Sequence, residues 1–302
     1  MKLLILTQAV DTNDPALGFF GRWVEEFAKT CDSVEVLALS VGTHALPRNV
    51  RVRSLGKEKG RSRMKYVFNF YRYAWSLRRE YDAVFVHMNP EYLVAAGWYW
   101  RLTGKKTGLW YMHKSVDLKL RVAAFFADVI FTASKESFRL PSNKVRVMGH
   151  GIDTDFFCPD AAVARGTHWL SVGRLNTSKR HDLAIRAAVQ EGKALRIAGK
   201  GPERGALEAL AREFGADVQF LGGLTQTQLR EEYRRAALFI HTSETGSLDK
   251  VVLEALSCGC PVRTNDSALK SIEREGPAYV RERHSLKSLI PAILKELTWN
   301  HR

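Results

Sequence analysis

The chain has 302 residues, 45% of them hydrophobic, with a formal net charge of +14. That length suits two domains of about 150 residues, each with enough apolar content for a full core, and no apolar run reaches the roughly 18 residues of a membrane span. Cys31, Cys158, Cys258 and Cys260 have neither metal spacing nor a paired framework, which excludes a zinc or disulfide scaffold and reads as reduced thiols in a cytoplasmic protein.

The opening MKLLILTQ has one Lys and a short apolar run without a cleavage site, so it reads as a buried strand, Leu3 to Thr7, and not as a signal peptide. A polar loop from Gln8 to Leu17 leads to Gly18 and Gly21, which open a helix to about Thr30 with Phe19, Trp23 and Phe27 on one face. Val34 to Leu39 and Val50 to Ser54 are the next strands. No GxGxxG stands here, so the dinucleotide fingerprint is absent.

Charge is uneven along the chain. Residues 1–150 hold 24 Lys/Arg against 13 Asp/Glu, and residues 151–302 hold 22 against 19. Within residues 48–79, Arg48, Arg51, Arg53, Lys57, Lys59, Arg61, Arg63, Lys65, Arg72, Arg78 and Arg79 face Glu58 alone. Such a stretch calls for an anionic partner. Met64 to Arg79 has helical spacing, with a stripe of Met64, Val67, Phe68, Tyr71 and Trp75 broadened by Tyr66, Phe70, Tyr73 and Leu77. A helix of a layered domain must bury one face, so this stripe is expected on the sheet with a solvated basic edge. The same composition also suits an anionic membrane surface or nucleic acid.

Further strands follow at Ala83 to His87, Thr107 to Met112, Val129 to Ala133 and Val145 to Met148, with an apolar helix at Tyr92 to Leu102. Alternating strands and helices predict a parallel sheet covered on both faces. Ligands bind at the carboxyl ends of such strands. His87, His113 and Ser134 fall there; a structural hydrogen bond explains each His as well as chemistry does.

Gly149 to Pro159 is a turn-rich link, after which the pattern restarts. Strands are expected at Trp169 to Val172, Ala194 to Ala198, Val218 to Leu221, Ala237 to His241, near Val262 and near Tyr279. Helices are expected from Lys179, from Glu203, over Thr225 to Arg235, over Lys250 to Ser257 and over Ser285 to Thr298. This is a second doubly wound α/β domain.

Four strand ends in this half carry ligand-type residues. Arg174 and Lys179 bracket a turn beside Gly173, and two cations at a helix start suit a diphosphate. Gly199, Lys200 and Gly201 follow a strand, where glycine permits close approach of a base or ribose. The polar turn Glu244 to Asp249 leads into a helix carrying Glu254, whose carboxylate can accept from two ribose hydroxyls. Alternatively, this is an exposed helix start with a solvated Glu. Asp153 reads as a turn residue.

The segments SVGRLNTSKRHDLAIRAA, IAGKGP, FLGG and LFIHTSETGSLDKVVLEALSCGCPV resemble the successive motifs of retaining glycosyltransferase family 4, of the GT-B fold. MKLLILTQAVDTNDPALGFFGRW, WYMH, FTAS and GHGIDTDFF are similar to the matching N-terminal motifs. The resemblance implies an N-terminal acceptor-side domain, 1–150, and a nucleotide-sugar-binding domain, 151–302, both Rossmann-like, with a cleft between them and a final helix that can cross back. It implies sugar transfer from a nucleoside-diphosphate sugar with retained configuration and no metal or other cofactor. Arg174 and Lys179 would hold the donor diphosphate and Glu254 the ribose. Backbone N–H groups near Gly18 would face the diphosphate, and His113 would lie beside the transferred sugar. Ser247, Leu248, Asp249, Lys250 and Val251 would line the sugar and phosphate pocket. The family's first Glu is replaced by Gly246, for which Glu244 or Asp249 can substitute.

The expected protein is therefore a cytoplasmic glycosyltransferase; the basic, aromatic 48–79 region suggests a peripheral place and an acceptor at the inner membrane surface, lipid-linked, in cell-surface glycan or glycolipid synthesis, with a soluble acceptor as the alternative. No nucleic-acid partner is expected on this reading. Two rivals use the same residues differently: a GT-B nucleotide-sugar epimerase, and a non-catalytic nucleic-acid-binding protein.

Overall fold

The computed structural model describes residues 1–60, 62–243 and 246–298. It divides into two compact units, one comprising Met1–Gly151 together with the segment from Leu286 on, the other Ile152–Ser285. The second unit thus ends at Ser285, and the final helix groups with the first.

The first unit holds β1 (Lys2–Val10), α1 (Phe20–Thr30), β2 (Ser33–Val41), β3 (Val50–Ser54), α2 (Arg63–Ser76), β4 (Ala83–His87), α3 (Glu91–Leu102), β5 (Lys106–Trp110), α4 (Leu118–Phe126), β6 (Val129–Thr132) and β7 (Val145–Val147). Its seven strands, all parallel, run in the order β3-β2-β1-β4-β5-β6-β7. Side chains alternate across a strand, so Leu3 and Ile5 of β1 enter one core while Leu4 and Leu6 enter the other. α1 covers the first face and α2, α3 and α4 the second.

The second unit holds β8 (Trp169–Val172), α5 (His181–Gln190), β9 (Leu195–Ala198), α6 (Arg204–Glu213), β10 (Val218–Gly222), α7 (Gln226–Arg235), β11 (Leu238–His241), α8 (Lys250–Ser257), β12 (Val262–Thr264) and α9 (Pro277–His284). Its parallel sheet has the order β10-β9-β8-β11-β12. The last helix, α10 (Leu286–Thr298), returns to the first unit. The cause is its apolar face: Leu286, Leu289, Ile290, Ile293, Leu294 and Leu297 all join the core beneath α1.

Three expectations are corrected. The strand expected near Tyr279 is α9, started by Pro277 in its first turn, where proline's missing N–H costs nothing. Lys179 ends a single 3-10 turn, Thr177–Lys179, and α5 begins two residues later. Most consequentially, the stripe expected on the sheet points outward: Met64 is 84% exposed, Phe68 67% and Trp75 62%. Phe70 and Ala74 of α2, with Leu77 just beyond it, face the core instead. Asp153 is the turn residue it was read as, its Oδ1 accepting from the N–H groups of Asp155 and Phe156.

Candidate active site

In a doubly wound sheet the crevice forms where strand order reverses, outside the carboxyl ends of the strands. In the second unit that point lies between β8 and β11. The turn after β8 supplies Gly173, Arg174 and Lys179, and the segment after β11 supplies Thr242, Ser243 and the start of α8. Thr242 donates to Lys179 O at 3.0 Å and Ser243 to Ser178 O at 3.2 Å, tying the two turns together.

That tie sets an ionic cluster. The Lys179 ammonium bonds Asp249 Oδ2, and His241 Nε2 lies 3.2 Å from the same oxygen. His241, the last residue of β11, is 3% exposed. Its Nδ1 is 3.0 Å from Thr264 Oγ1, which itself accepts from Asp266 N–H at 3.1 Å. A carboxylate only accepts, so His241 Nε2–H is the donor to Asp249, while the Nδ1 side is tied through Thr264 to Asp266. Burial alone would raise the Asp249 carboxyl; the His241 hydrogen bond and the Lys179 charge outweigh it and hold that carboxyl well below the usual range. Asp249 is the N-cap of α8, yet its side chain does not cap the helix. It is turned to Lys179 and His241 instead.

Glu254 lies one turn inside α8 and is 1% exposed, so the solvated reading does not hold. Its Oε1 takes Lys250 Nζ at 2.7 Å, a close ion pair without a hydrogen bond of good angle, and its Oε2 takes Tyr233 OH at 3.4 Å. Burial, and then the Glu254 charge, push the Tyr233 phenol well above its ordinary value, so it remains a donor.

The glycines have a packing reason of their own. A Cβ on Gly199 would stand 1.9 Å from Gly173 O, and one on Gly201 would stand 2.1 Å from Leu175 O. The two strand-end turns lie backbone against backbone, joined by Leu175 N–H to Lys200 O at 3.0 Å. Gly246, where the resemblance would expect a Glu, has φ of +60° and donates through its N–H to Asp266 Oδ2 at 2.7 Å. A left-handed backbone there disfavours any larger residue. Of the two substitutes for that Glu, Asp249 is engaged as described, and Glu244 lies outside the described residues, as does Arg61 of the basic stretch.

Lys179, Asp249, Lys250 and Glu254 are therefore brought together in two adjoining ion pairs, with Gly173, Gly199 and Gly201 in the turns beside them. Arg174 and Lys200 are exposed at the rim, and Ser247, Leu248 and Val251 are half-buried. Gly18 and His113 belong to the first unit. Gly18 is buried before α1, its N–H bonded to Asp14 O at 2.9 Å, and His113 is exposed just beyond β5, edge-on to Tyr111 at 5.6 Å. His87 sits at the end of β4, stacked on Phe20 at 4.2 Å and 3.3 Å from Thr7 Oγ1, which gives it a structural place. Sequence reading passed over His241, although a His ending a strand was the signal that singled out His87 and His113.

Residues 165–295 match the model of the family described as glycosyl transferases group 1. Among curated relatives, the sulfoquinovosyl transferase SQD2 of Arabidopsis thaliana is 27% identical over 186 residues, 57% of this chain and 35% of that protein. The D-inositol 3-phosphate glycosyltransferase of Acidothermus cellulolyticus is 34% identical over 147 residues, 40% of this chain and 32% of that one. The chain thus spans about a third of the length of the curated relatives it matches. Among solved structures, Anabaena HepE in complex with UDP superposes with a TM-score of 0.72 over 99% of this chain and 100% of that one, at 17% identity, a likeness of fold.

Proposed function

We propose that this chain, a GT-B protein of the glycosyl transferases group 1 family, moves a hexose from a nucleoside-diphosphate sugar to an acceptor with retention of configuration and without a metal ion. The observation that carries the reading is the cluster at the β8–β11 switch point, where Lys179 is paired with Asp249, which His241 also contacts; a cation at this point suits a diphosphate. In the absence of donor, Asp249 supplies the negative charge that Lys179 needs. A bound diphosphate supplies the same charge, so Lys179 exchanges one anion for another. Arg174 at the rim and the N-terminal end of α8 add positive potential on the same side.

The reaction breaks the bond between the anomeric carbon and the diphosphate oxygen and forms one to the acceptor oxygen. Negative charge grows on the departing diphosphate, and preorganised cations stabilise it more than they stabilise the bound donor. The acceptor's proton passes to the leaving phosphate oxygen, so no protein base is required. Glu254, paired with Lys250, is the carboxylate for the donor ribose. The relatives' names support a sugar-transfer reading, and the complexes of HepE with UDP and with UDP-glucose support a nucleotide-sugar donor.

The acceptor side is proposed at an anionic membrane surface, in cell-surface glycan or glycolipid synthesis at the inner face. Its support is the outward aromatic stripe of α2 among basic residues. No helix among the described residues is long and apolar enough to cross a membrane.

The test is incubation with UDP-, GDP- and ADP-sugars and a membrane lipid extract, with the product's anomeric configuration read by NMR. A glycosylated lipid with the donor's configuration is expected. An inverted product would remove the retaining mechanism, and release of free epimerised donor without acceptor would replace the transferase by an epimerase.

A further inference from the structure

Exposed apolar residues on the first unit are concentrated on α2, α3 and α4. Beside the α2 stripe stand Trp98, 51% exposed, Leu102, 79%, and Phe125, 62%. Surfaces of this kind mark interaction sites. Between α2 and α3 they border a groove of about 250 Å3, walled by Tyr71, Trp75, Trp98 and Tyr99 over Ala74 and Ala96. Two of its polar groups are already partnered within the wall: Tyr71 OH and Trp98 Nε1 both donate to Ala95 O, at 3.1 and 3.2 Å. A water in the groove finds few partners, whereas an apolar cavity of about 150 Å3 already stays dry and takes a hydrocarbon.

The surroundings are cationic. The Arg78 guanidinium lies 4.6 Å over the Trp75 ring and that of Arg101 lies 5.2 Å over the Phe125 ring. Arg63, Lys65 and Arg72 continue the charge along α2, while Glu91, paired with Lys119 at 3.1 Å, is the one acidic residue on the three helices. A second copy of this face would set these cations against their like. An anionic bilayer meets them with opposite charge, and aromatic rings favour its interface.

We infer that the groove between α2 and α3 is a lipid-chain site, which takes an acyl chain of an anionic bilayer while the surrounding Arg and Lys side chains hold the headgroups. This rests on the membrane part of the proposed function and adds a specific apolar ligand site to it.

The test uses the full chain and vesicles of phosphatidylcholine with phosphatidylglycerol, the acyl chains brominated in one arm. The parent protein is expected to bind the anionic vesicles at low salt, with its Trp fluorescence quenched by the brominated chains and less so in Trp98→Phe. Arg72→Gln with Arg78→Gln is expected to weaken binding about tenfold or more. Ala95→Phe, which fills the groove, is expected to weaken it roughly fivefold and to lose the quenching. If Ala95→Phe fails to fold, Trp98→Ala opens the same wall at an exposed position, with the same expected loss. Full affinity and full quenching in the groove variants would overturn the lipid-chain site and leave the membrane reading standing. No binding of the parent to anionic vesicles would overturn both. A dimer formed without vesicles and broken by Ala95→Phe would assign the face to a second copy and overturn the inference.

Discussion

The two sheets reverse strand order in the same way, and they fill the reversal point with opposite chemistry. In the first unit, between β1 and β4, rings occupy it: His87 is stacked on Phe20 and within 6 Å of Phe19 and Trp23. In the second, between β8 and β11, charges occupy it: Lys179, Asp249 and His241 share one carboxylate oxygen. One topology therefore yields two sites of different kinds. A stacked, nearly sealed imidazole is part of a core. A half-buried cation paired with a carboxylate keeps a charge at the strand ends, the kind of group that meets an anionic ligand.

The largest break in this comparison comes at Lys179. Lys179→Ala removes the cation proposed for the diphosphate and is expected to lower kcat/KM for the proposed sugar transfer by roughly two to three orders of magnitude, as loss of a charge-stabilising group does. A loss below about tenfold, measured with saturating acceptor, would assign the diphosphate elsewhere.

Glu254→Ala comes next. It removes the Lys250 ion pair and the acceptor of the buried Tyr233 hydroxyl, and the expected loss of stability in urea is about 3 kcal/mol. Glu254→Gln, which keeps the shape and a hydrogen bond to Tyr233, is expected to lose less stability while still losing donor affinity. Equal stability losses in both would make Glu254 a packing residue.

A pH effect of similar size arises at His181, which begins α5 beside the site. Burial, aided by the Lys179 charge, lowers it from the ordinary 6.5 to about 4, and Ser171 Oγ lies 3.0 Å from its Nδ1. Between those values the unfolded chain binds the proton and the folded chain does not. Stability is therefore complete above about pH 6.5 and falls as the pH drops towards 4, by roughly 3 kcal/mol. Urea midpoints between pH 4 and 7 should show this slope, and His181→Gln should flatten it.

The smallest effect sharpens the geometry of the turns. Gly201→Ala drives a Cβ to 2.1 Å from Leu175 O and is expected to cost about 1–3 kcal/mol, with weaker donor binding as the β8 and β9 turns separate. Unchanged melting would show that these turns yield without cost.

Much of this was legible in the sequence because parallel strands buried on both faces are continuous apolar runs. Ala83 to His87 and Trp169 to Val172 were found residue for residue. Two things were not legible. Periodicity locates a stripe but not the face that packs, and α2 has aromatic residues all round: Phe70 faces inward, while Phe68 and Tyr71 face outward. α4 went unanticipated although Asp117 caps it by accepting from Leu120 N–H at 2.8 Å, because its Leu118 to Phe126 is apolar without a clean period. In the site, the sequence placed Lys179 and Asp249 in one pocket by resemblance, but their ion pair joins residues seventy positions apart, which local spacing does not encode. The crowding of Gly199 against Gly173 was likewise invisible, since a glycine's neighbour lies on another strand.

The central claim is that the charged switch point of the second unit holds a nucleoside diphosphate. The direct measurement is the melting temperature of the parent protein, Lys179→Ala and Glu254→Gln with UDP, GDP and ADP. Ligand at a hundredfold over its Kd adds about 2.7 kcal/mol to the folded state. One of the three nucleotides should raise the melting temperature of the parent protein by several degrees and leave both variants nearly unmoved. A parent protein that is folded and unshifted by all three, or variants that shift as far as the parent, would contradict the account.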